Sequence, residues 1–474
     1  MRKGILRRGS VLLMTAAVFL SGVGSLSAAA FNFTPITGID EDNKAEILQL
    51  RSESVYMINM DNDEVLVDIE SDKQRVPASL TKIMTAIVLL DEFGGDEEVM
   101  SSTRYSAGSE AFDDIYDTGA STADIQPNEK VTCTDLLYAL MLPSACEAAN
   151  IIAIGMCGSI DDFCDRMNAK AEELGMKDSH FSNAHGLSGD NNYTTCRDIA
   201  KMCTYALETY PLFKKVVGTY DYTLSPTNFH PDGTYIYSTN YLLGSNGENK
   251  YYYSRCKGIK TGTLDTAGRC FASYAESDGV RYLTVTMGAP MDKLDEDYQK
   301  GLENPASVYS DDVIYYNLVD HINLYEWAFL YLDETQLVDK NSELREAKVE
   351  FGESGRDYVT LKPEHGMSIY YPSYQSKKDI TKTIDVYKDI VAPVYKGDRL
   401  GELTLRYKDE VIATIPLVAT ENVNRSKLDE TKEIAKAFPS STEFRVALLL
   451  IILFALAVFI IHIMIIQSKY RKRD

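Results

Sequence analysis

The chain has 474 residues, 45% of them hydrophobic and 25% charged, a globular composition with length enough for two or three domains and a sizeable core. Its formal charge is −22, and removing the +4 of the first eight residues and the +3 of residues 469–474 leaves −29 on everything between. A surface of that sign argues against nucleic acid as a partner.

The first thirty residues combine a basic start (Arg2, Lys3, Arg7, Arg8), an apolar run from Val11 and the small residues Ala28-Ala29-Ala30. This is the pattern of an export signal, with cleavage expected after Ala30. Two alternating runs, SVYMINM (54–60) and VLVDIE (65–70), flank Asp61-Asn62-Asp63-Glu64 and read as a β-hairpin. A helix is expected from about Ala78 to Phe93, in VPASLTKIMTAIVLL and its continuation. It is apolar except that Ser79 and Lys82, three residues apart, share a face.

Residues 101–130 are acidic and lack apolar periodicity, as in a surface excursion. Helical patterning resumes with CTDLLYALMLPSACEAANIIAIGMCG and again over 163–176. The segment 256–290 reads as two alternating strands joined at Ser277-Asp278-Gly279. Strands at both ends of a helical middle indicate one mixed α+β domain over 31–337. Short alternating strands over 343–425 indicate a small β domain, and 426–445 a polar stalk.

Val446–Ile466 is apolar apart from His462, and at about 1.5 Å per residue it reaches roughly the 30 Å of a hydrocarbon core. The basic tail 467–474 is the flank expected on the cytoplasmic side, so the body is expected outside the cell, held by a single membrane span. Eight cysteines (133, 146, 157, 164, 196, 203, 256, 270) show no metal-ligand spacing. In an exported chain they are open to pairing, but small buried thiols explain them at least as well.

Two short patterns carry chemistry. Ser79-x-x-Lys82 at a helix start can pair a hydroxyl nucleophile with an amine base, provided the amine is kept neutral by desolvation or a second cation. Alone the pattern is weak, since Ser254-Arg255-Cys256-Lys257 matches it too, in a polar stretch with no apolar helix behind it. Lys260-Thr261-Gly262, followed by Thr263, falls on an expected strand. Ser144-Ala145-Cys146 lies between the two patterns on a helix.

Together, PASLTKIMTA (77–86), DLLYALMLPSACEAANIIA (135–153), MNAKAEELGMKDSHFSNAHGL (167–187), YTTCRDIAKM (193–202), KGIKTGTLDTAGRCFASYA (257–275) and LYEWAF (324–329) resemble the penicillin-binding serine-type D-alanyl-D-alanine carboxypeptidases. APVYKGDRLGELTLRY (392–407) is similar to that family's trailing β domain. The resemblance implies a β-lactamase/transpeptidase-like fold, an antiparallel sheet flanked by helices with the KTG strand lining a cleft opposite the Ser79 helix. It implies Ser79 as acylated nucleophile, Lys82 as general base and Ser144 as proton relay to the leaving amine. Lys260 and Thr261 would hold the substrate's terminal carboxylate, and the backbone N–H groups of Ser79 and Thr263 would form the oxyanion hole.

The substrate implied is a peptidoglycan stem peptide ending in D-Ala-D-Ala, with β-lactams as covalent inhibitors and no metal or organic cofactor. Two departures stand out. The family's middle motif usually ends in asparagine where this chain has Cys146, whose thiol makes only weak hydrogen bonds. Contacts to Lys82 and substrate should weaken, and acylation is expected to survive. Many relatives also end in an amphipathic surface helix, where this chain has an apolar one expected to span. A Cys146/His185 thiol site is the lesser alternative, because the family carries the His185 loop as structure. A transpeptidase or β-lactamase on the same fold, and a catalytically weak wall-binding protein, remain as rivals.

Overall fold

In the computed structural model residues 31–470 are described except 43, 188–190, 245–248, 292–313, 354, 428–430 and 432–441. The export signal, most of the stalk and the last four residues of the basic tail lie outside the described residues. The chain divides into two compact units, one ending at Tyr331 and one beginning at Leu332.

The first unit opens with a small hairpin, β1 (Ile36–Ile39) and β2 (Ala45–Ile47), followed by the expected hairpin β3 (Ser54–Asn59) and β4 (Glu64–Ile69). Helices α1 (Thr81–Phe93), α2 (Glu97–Ser102), α3 (Cys133–Met141), α4 (Cys146–Cys157), α5 (Ile160–Glu173), α6 (Cys196–Thr209) and α7 (Pro211–Val217) form the middle. Two-stranded ribbons join β5 (Arg104–Tyr105) to β6 (Val131–Thr132) and β7 (Asp221–Leu224) to β8 (Thr234–Tyr237).

The segment expected to hold two strands holds three, β9 (Cys256–Leu264), β10 (Gly268–Ser277) and β11 (Val280–Ala289). The missed turn is at Gly268, whose φ of 66° is a conformation open to glycine without strain. These strands join β3 and β4 in one antiparallel sheet of order β4-β3-β11-β10-β9. Helix α8 (Tyr316–Tyr331) closes the unit.

Alternation along β10 shows how the sheet is buried on both faces. Cys270, Ala272 and Tyr274 enter the main core with residues of α1 and α3–α6, whereas Phe271 packs with Leu318 of α8. Ser273, on the Phe271 face, has its hydroxyl 2.7 Å from Nδ1 of the fully buried His321. α1 is buried on every side from Thr81 to Leu90, which is why its sequence lacks a polar face.

The second unit begins with β12 (Leu332–Val338), which pairs with β15 (Met367–Pro372). That pairing draws 332–337 out of the domain in which the sequence reading placed them. β13 (Arg345–Glu353), β14 (Arg356–Pro363), β16 (Ile380–Val386), β17 (Arg399–Tyr407) and β18 (Glu410–Ala419) form an antiparallel sheet of order β13-β14-β18-β17-β16. A final helix, α9 (Thr442–Tyr470), contains 25 residues, Phe444–Ser468, long and apolar enough to cross a membrane.

All eight cysteines are free and all but Cys157 are buried, the outcome expected of small hydrophobic thiols.

Candidate active site

Ser79 does not sit in α1 itself but in a turn of 3-10 helix, Ala78–Leu80, that leads into it. Ala78 takes φ 48°, a left-handed conformation unusual for a residue with a Cβ. Its surroundings hold it there: an added Cβ on Gly186 would fall 1.9 Å from the Ala78 carbonyl oxygen, so the 183–187 loop lies directly against this turn. β9 approaches from the other side. A Cβ on Gly262 would come within 3.1 Å of the Ser79 nitrogen, so glycine in the KTG strand lets the strand lie close to the Ser79 turn.

One helical turn on, Lys82 has no exposed surface. Its Nζ lies 3.1 Å from Ser79 Oγ, donates to the His185 carbonyl at 2.7 Å and sits 3.3 Å from Cys146 Sγ at the start of α4. Burial lowers its proton affinity, opposed by Cys146 and the neighbouring Glu147. Lys260 of β9 is 1% exposed, its Nζ is without a hydrogen-bond partner, and burial together with the Lys82 charge holds its pKa well below the ordinary lysine value.

Ser144 precedes α4 with φ 70°, and its buried hydroxyl has no partner. Thr261 Oγ1 is 2.6 Å from Thr239 Oγ1. Ser79, Ser144, Thr261, Gly262 and Thr263 all line one cavity of about 200 Å³, while Lys82, Cys146 and Lys260 lie buried behind it. Ser254 and Lys257 do not join them. Both are exposed, Ser254 just before β9 and Lys257 at its start, with Lys257 Nζ bonded to the Ser254 carbonyl at 3.0 Å.

Several contributions escaped the sequence reading, which named His185 only as a partner for Cys146. His185 acts on Lys82 through its backbone oxygen, which no side-chain pattern signals. Its ring accepts from the Leu187 N–H at Nδ1 (3.0 Å), so Nε2 carries the proton and donates to Asp114 at 2.8 Å. Burial lowers the His185 pKa, and the ring is therefore neutral. Burial would raise Asp114, but the hydrogen bond from His185 prevails and its pKa is lowered. Asn150, one turn into α4 from Cys146, also donates to Asp114 at 2.8 Å.

Glu147 is fully buried, and its Oε1 accepts from the Ala123 N–H at 2.6 Å. Burial pushes its carboxyl up to about 7. Arg269, also unremarked in the sequence, lines the cavity. The sequence signal that could have found it was Gly268 as a hairpin turn, which sets Arg269 opposite Thr263.

The arrangement is that of a hydroxyl nucleophile beside a desolvated amine, under a strand that offers polar groups to a bound chain. Comparison with known proteins agrees in sequence and in fold. Residues 41–291 match the family model described as D-alanyl-D-alanine carboxypeptidase, and residues 333–425 that of the penicillin-binding protein 5 C-terminal domain. The chain is 27% identical over 396 residues to the D-alanyl-D-alanine carboxypeptidase DacF of Bacillus subtilis, covering 83% of this chain and 92% of that one. It is 24% identical over 419 residues to DacA of Escherichia coli, covering 87% and 92%.

The crystal structure of DacD from Francisella tularensis superposes with a TM-score of 0.59 at 21% identity, covering 86% of this chain and 99% of that one. Penicillin-binding protein 5 of Haemophilus influenzae gives 0.55 at 21% identity, covering 80% and 99%. These two likenesses establish the fold, a DD-peptidase catalytic domain followed by a β domain. Since the matched segment 41–291 runs through the PASLTK turn, the Ser144 motif and the KTG strand, this chain belongs to the D-alanyl-D-alanine carboxypeptidase family of serine-type hydrolases.

Proposed function

We propose that Ser79 is the acylated nucleophile of a carboxypeptidase that removes the terminal D-alanine from peptidoglycan stem peptides, with Lys82 as its general base. The observation that carries this reading is the environment of the Lys82 amine. A neutral amine has two N–H groups and one lone pair. The His185 carbonyl and Cys146 sulfur take the two N–H groups, leaving the lone pair for the Ser79 O–H at 3.1 Å.

In the step so arranged, Lys82 takes the hydroxyl proton as Oγ attacks the penultimate D-alanine carbonyl. The N–H groups of Ser79 and Thr263 receive the developing oxyanion. Ser144, its hydroxyl unpaired and facing the cavity, passes the proton to the departing amine. Cys146 bounds the site where the family usually has an amide. Thr261 and Lys260 hold the terminal carboxylate. Water then releases the acyl peptide, and a β-lactam would acylate the same oxygen.

The catalytic domain lies outside the cell after removal of residues 1–30, carried with the 343–425 β domain on the 426–445 stalk. A single span over 446–466 and the cytoplasmic tail 467–474 complete the chain. The apolarity of α9 and the basic residues after it support this placement.

The test is labelling of the full chain in detergent with fluorescent penicillin, followed by mass spectrometry of the labelled peptide, alongside assay of D-alanine release. Label on the peptide containing Ser79, lost together with D-alanine release in Ser79→Ala, is the expected result. Label on Ser254, or neither label nor release, would overturn the proposal.

A further inference from the structure

The cavity in front of Ser79 is lined on one side by Ser121 and on another by Thr239, which follows the β7–β8 ribbon. Each wall is tied to the site from behind. The Cys146 N–H donates to the Ser121 carbonyl at 2.9 Å, and Glu147 takes the N–H groups of Ala123 and Ile125. The Thr239 N–H donates to the Leu142 carbonyl at 3.0 Å.

Away from the reacting atoms the two walls are joined again, by the turn between β7 and β8. Asn228 of that turn accepts from the Lys130 N–H at 2.8 Å and donates to the Asn128 carbonyl at 3.2 Å. His230 lies beside it, with Nδ1 2.9 Å from Glu129 Oε1 and Nε2 3.4 Å from Asp124 Oδ2. Glu129 is 2% exposed, and it also accepts from the Gln126 N–H at 2.8 Å and from the Thr227 hydroxyl. It thereby binds its own segment and the ribbon turn into one knot.

An ionised carboxylate only accepts, and a neutral imidazole has a single N–H. Both ring contacts can therefore be made together only when both nitrogens carry a proton. His185 shows the opposite arrangement, with a backbone donor at one nitrogen and a carboxylate at the other, which suits a neutral ring. The hydrogen bond to Glu129, with the charge of Asp124 added, holds the His230 pKa above the ordinary 6.5. Among the described residues Glu129 and Asp124 are the charged groups facing this ring; Asp232 of the same turn and Lys130 across from it are exposed.

We propose that His230 is a positioning residue: as an imidazolium bridging Glu129 and Asp124 it clasps the β7–β8 turn to residues 124–129, and so holds the Ser121 and Thr239 walls of the cavity in register for the substrate. The clasp is complete below pH 6.5 and loosens as pH rises through the raised value of the folded chain, when one of its two donors is lost. Its effect on catalysis rests on the reading of Ser79 as nucleophile.

The test uses the full chain in detergent. With its six histidines labelled with carbon-13, the ring signal that disappears in His230→Gln should titrate above 6.5; a midpoint at or below that value would overturn the proposal. KM for an acyl-D-Ala-D-Ala peptide is followed over the same pH range. At about pH 6, His230→Gln should raise KM roughly two- to fivefold with kcat little changed, the worth of a partly solvated ion pair. Near about pH 9, where a neutral imidazole and an amide can each serve one carboxylate, the two chains should agree. His230→Lys, charged throughout, should recover part of the loss at the lower pH. A KM ratio constant with pH would mark a merely structural residue, and no change at the lower pH would mean that the clasp does not reach the cavity; either result overturns the inference and leaves Ser79 in place. A wild-type chain that releases no D-alanine at any pH would overturn the reading of Ser79 and this inference with it.

Discussion

The chain contains Ser-x-x-Lys twice, and the two copies differ in everything but spacing. Lys82 lies at the start of a helix buried on all sides, with no exposed surface and its amine 3.1 Å from the Ser79 hydroxyl. Lys257 stands in water at the start of an edge strand, bonded to the Ser254 backbone carbonyl rather than to its hydroxyl. What separates the two amines here is the apolar helix behind Lys82, which removes water from one and not from the other.

That contrast can be broken most forcefully at the residues themselves. Ser79→Ala and Lys82→Arg should each reduce D-alanine release by at least about 10³-fold, as expected when a nucleophile or its base is removed. Ser254→Ala and Lys257→Ala should leave it within about twofold, since exposed positions away from the site seldom matter. Steady-state release assays on the four variants decide it.

A backbone change should come next. Gly186→Ala would drive a methyl group against the Ala78 carbonyl at a φ of 85°, displacing either the turn that holds Ser79 or the loop that holds Lys82. We expect acylation by penicillin to slow roughly 10- to 100-fold, the cost of about an ångström of misplacement. Gly94→Ala, at a helix end with open space around it, should not slow acylation although it too has a positive φ.

Smaller still is the effect of Asp114→Ala, which frees the His185 ring from its 2.8 Å hydrogen bond and loosens the loop whose carbonyl holds Lys82. A fall of about threefold to tenfold in kcat is expected, the worth of one such bond. The expected change in KM is slight.

The remaining prediction concerns stability rather than rate. Glu147 has its carboxyl raised to about 7 by burial, so the folded chain binds a proton that the unfolded chain has already lost above the ordinary value of 4.5. Its contribution is therefore full below pH 4.5 and is lost as pH rises through 7. Glu147→Gln keeps an oxygen for the Ala123 N–H and removes the titration. Relative to wild type, it should gain up to about 3 kcal/mol between pH 4 and 8, measured by denaturant unfolding of the first unit within the full chain.

The sequence was most legible where chemistry follows from spacing along one element. Ser79 and Lys82 share a face because helix geometry requires it, and the KTG residues sit together because they are consecutive on one strand. The alternating runs of the second unit showed its strands for the same reason. One chain reversal was hidden. The turn at Gly268 was read through, so one strand became two and Arg269 went unplaced opposite Thr263.

The partner that holds Lys82 on its far side was hidden for a different reason. It is a backbone oxygen 103 residues away, and every residue type carries one. Asp114 lay in a stretch read only as acidic surface, because nothing local distinguishes a carboxylate that meets water from one that meets a buried imidazole. The domain border fell at 331 rather than 337 because β12 finds its partner in β15, across the intervening residues 339–366.

The account depends on Lys82 being an uncharged amine when Ser79 reacts. The rate of acylation by fluorescent penicillin, followed from pH 5 to 11 in the wild-type chain and in Lys82→Arg, tests this most directly. The rate should rise through a single ionisation whose midpoint lies below the ordinary lysine value of 10.5, and the variant should show neither the rate nor the ionisation. A midpoint at 10.5 or above, or a Lys82→Arg chain acylated at the wild-type rate, would contradict it.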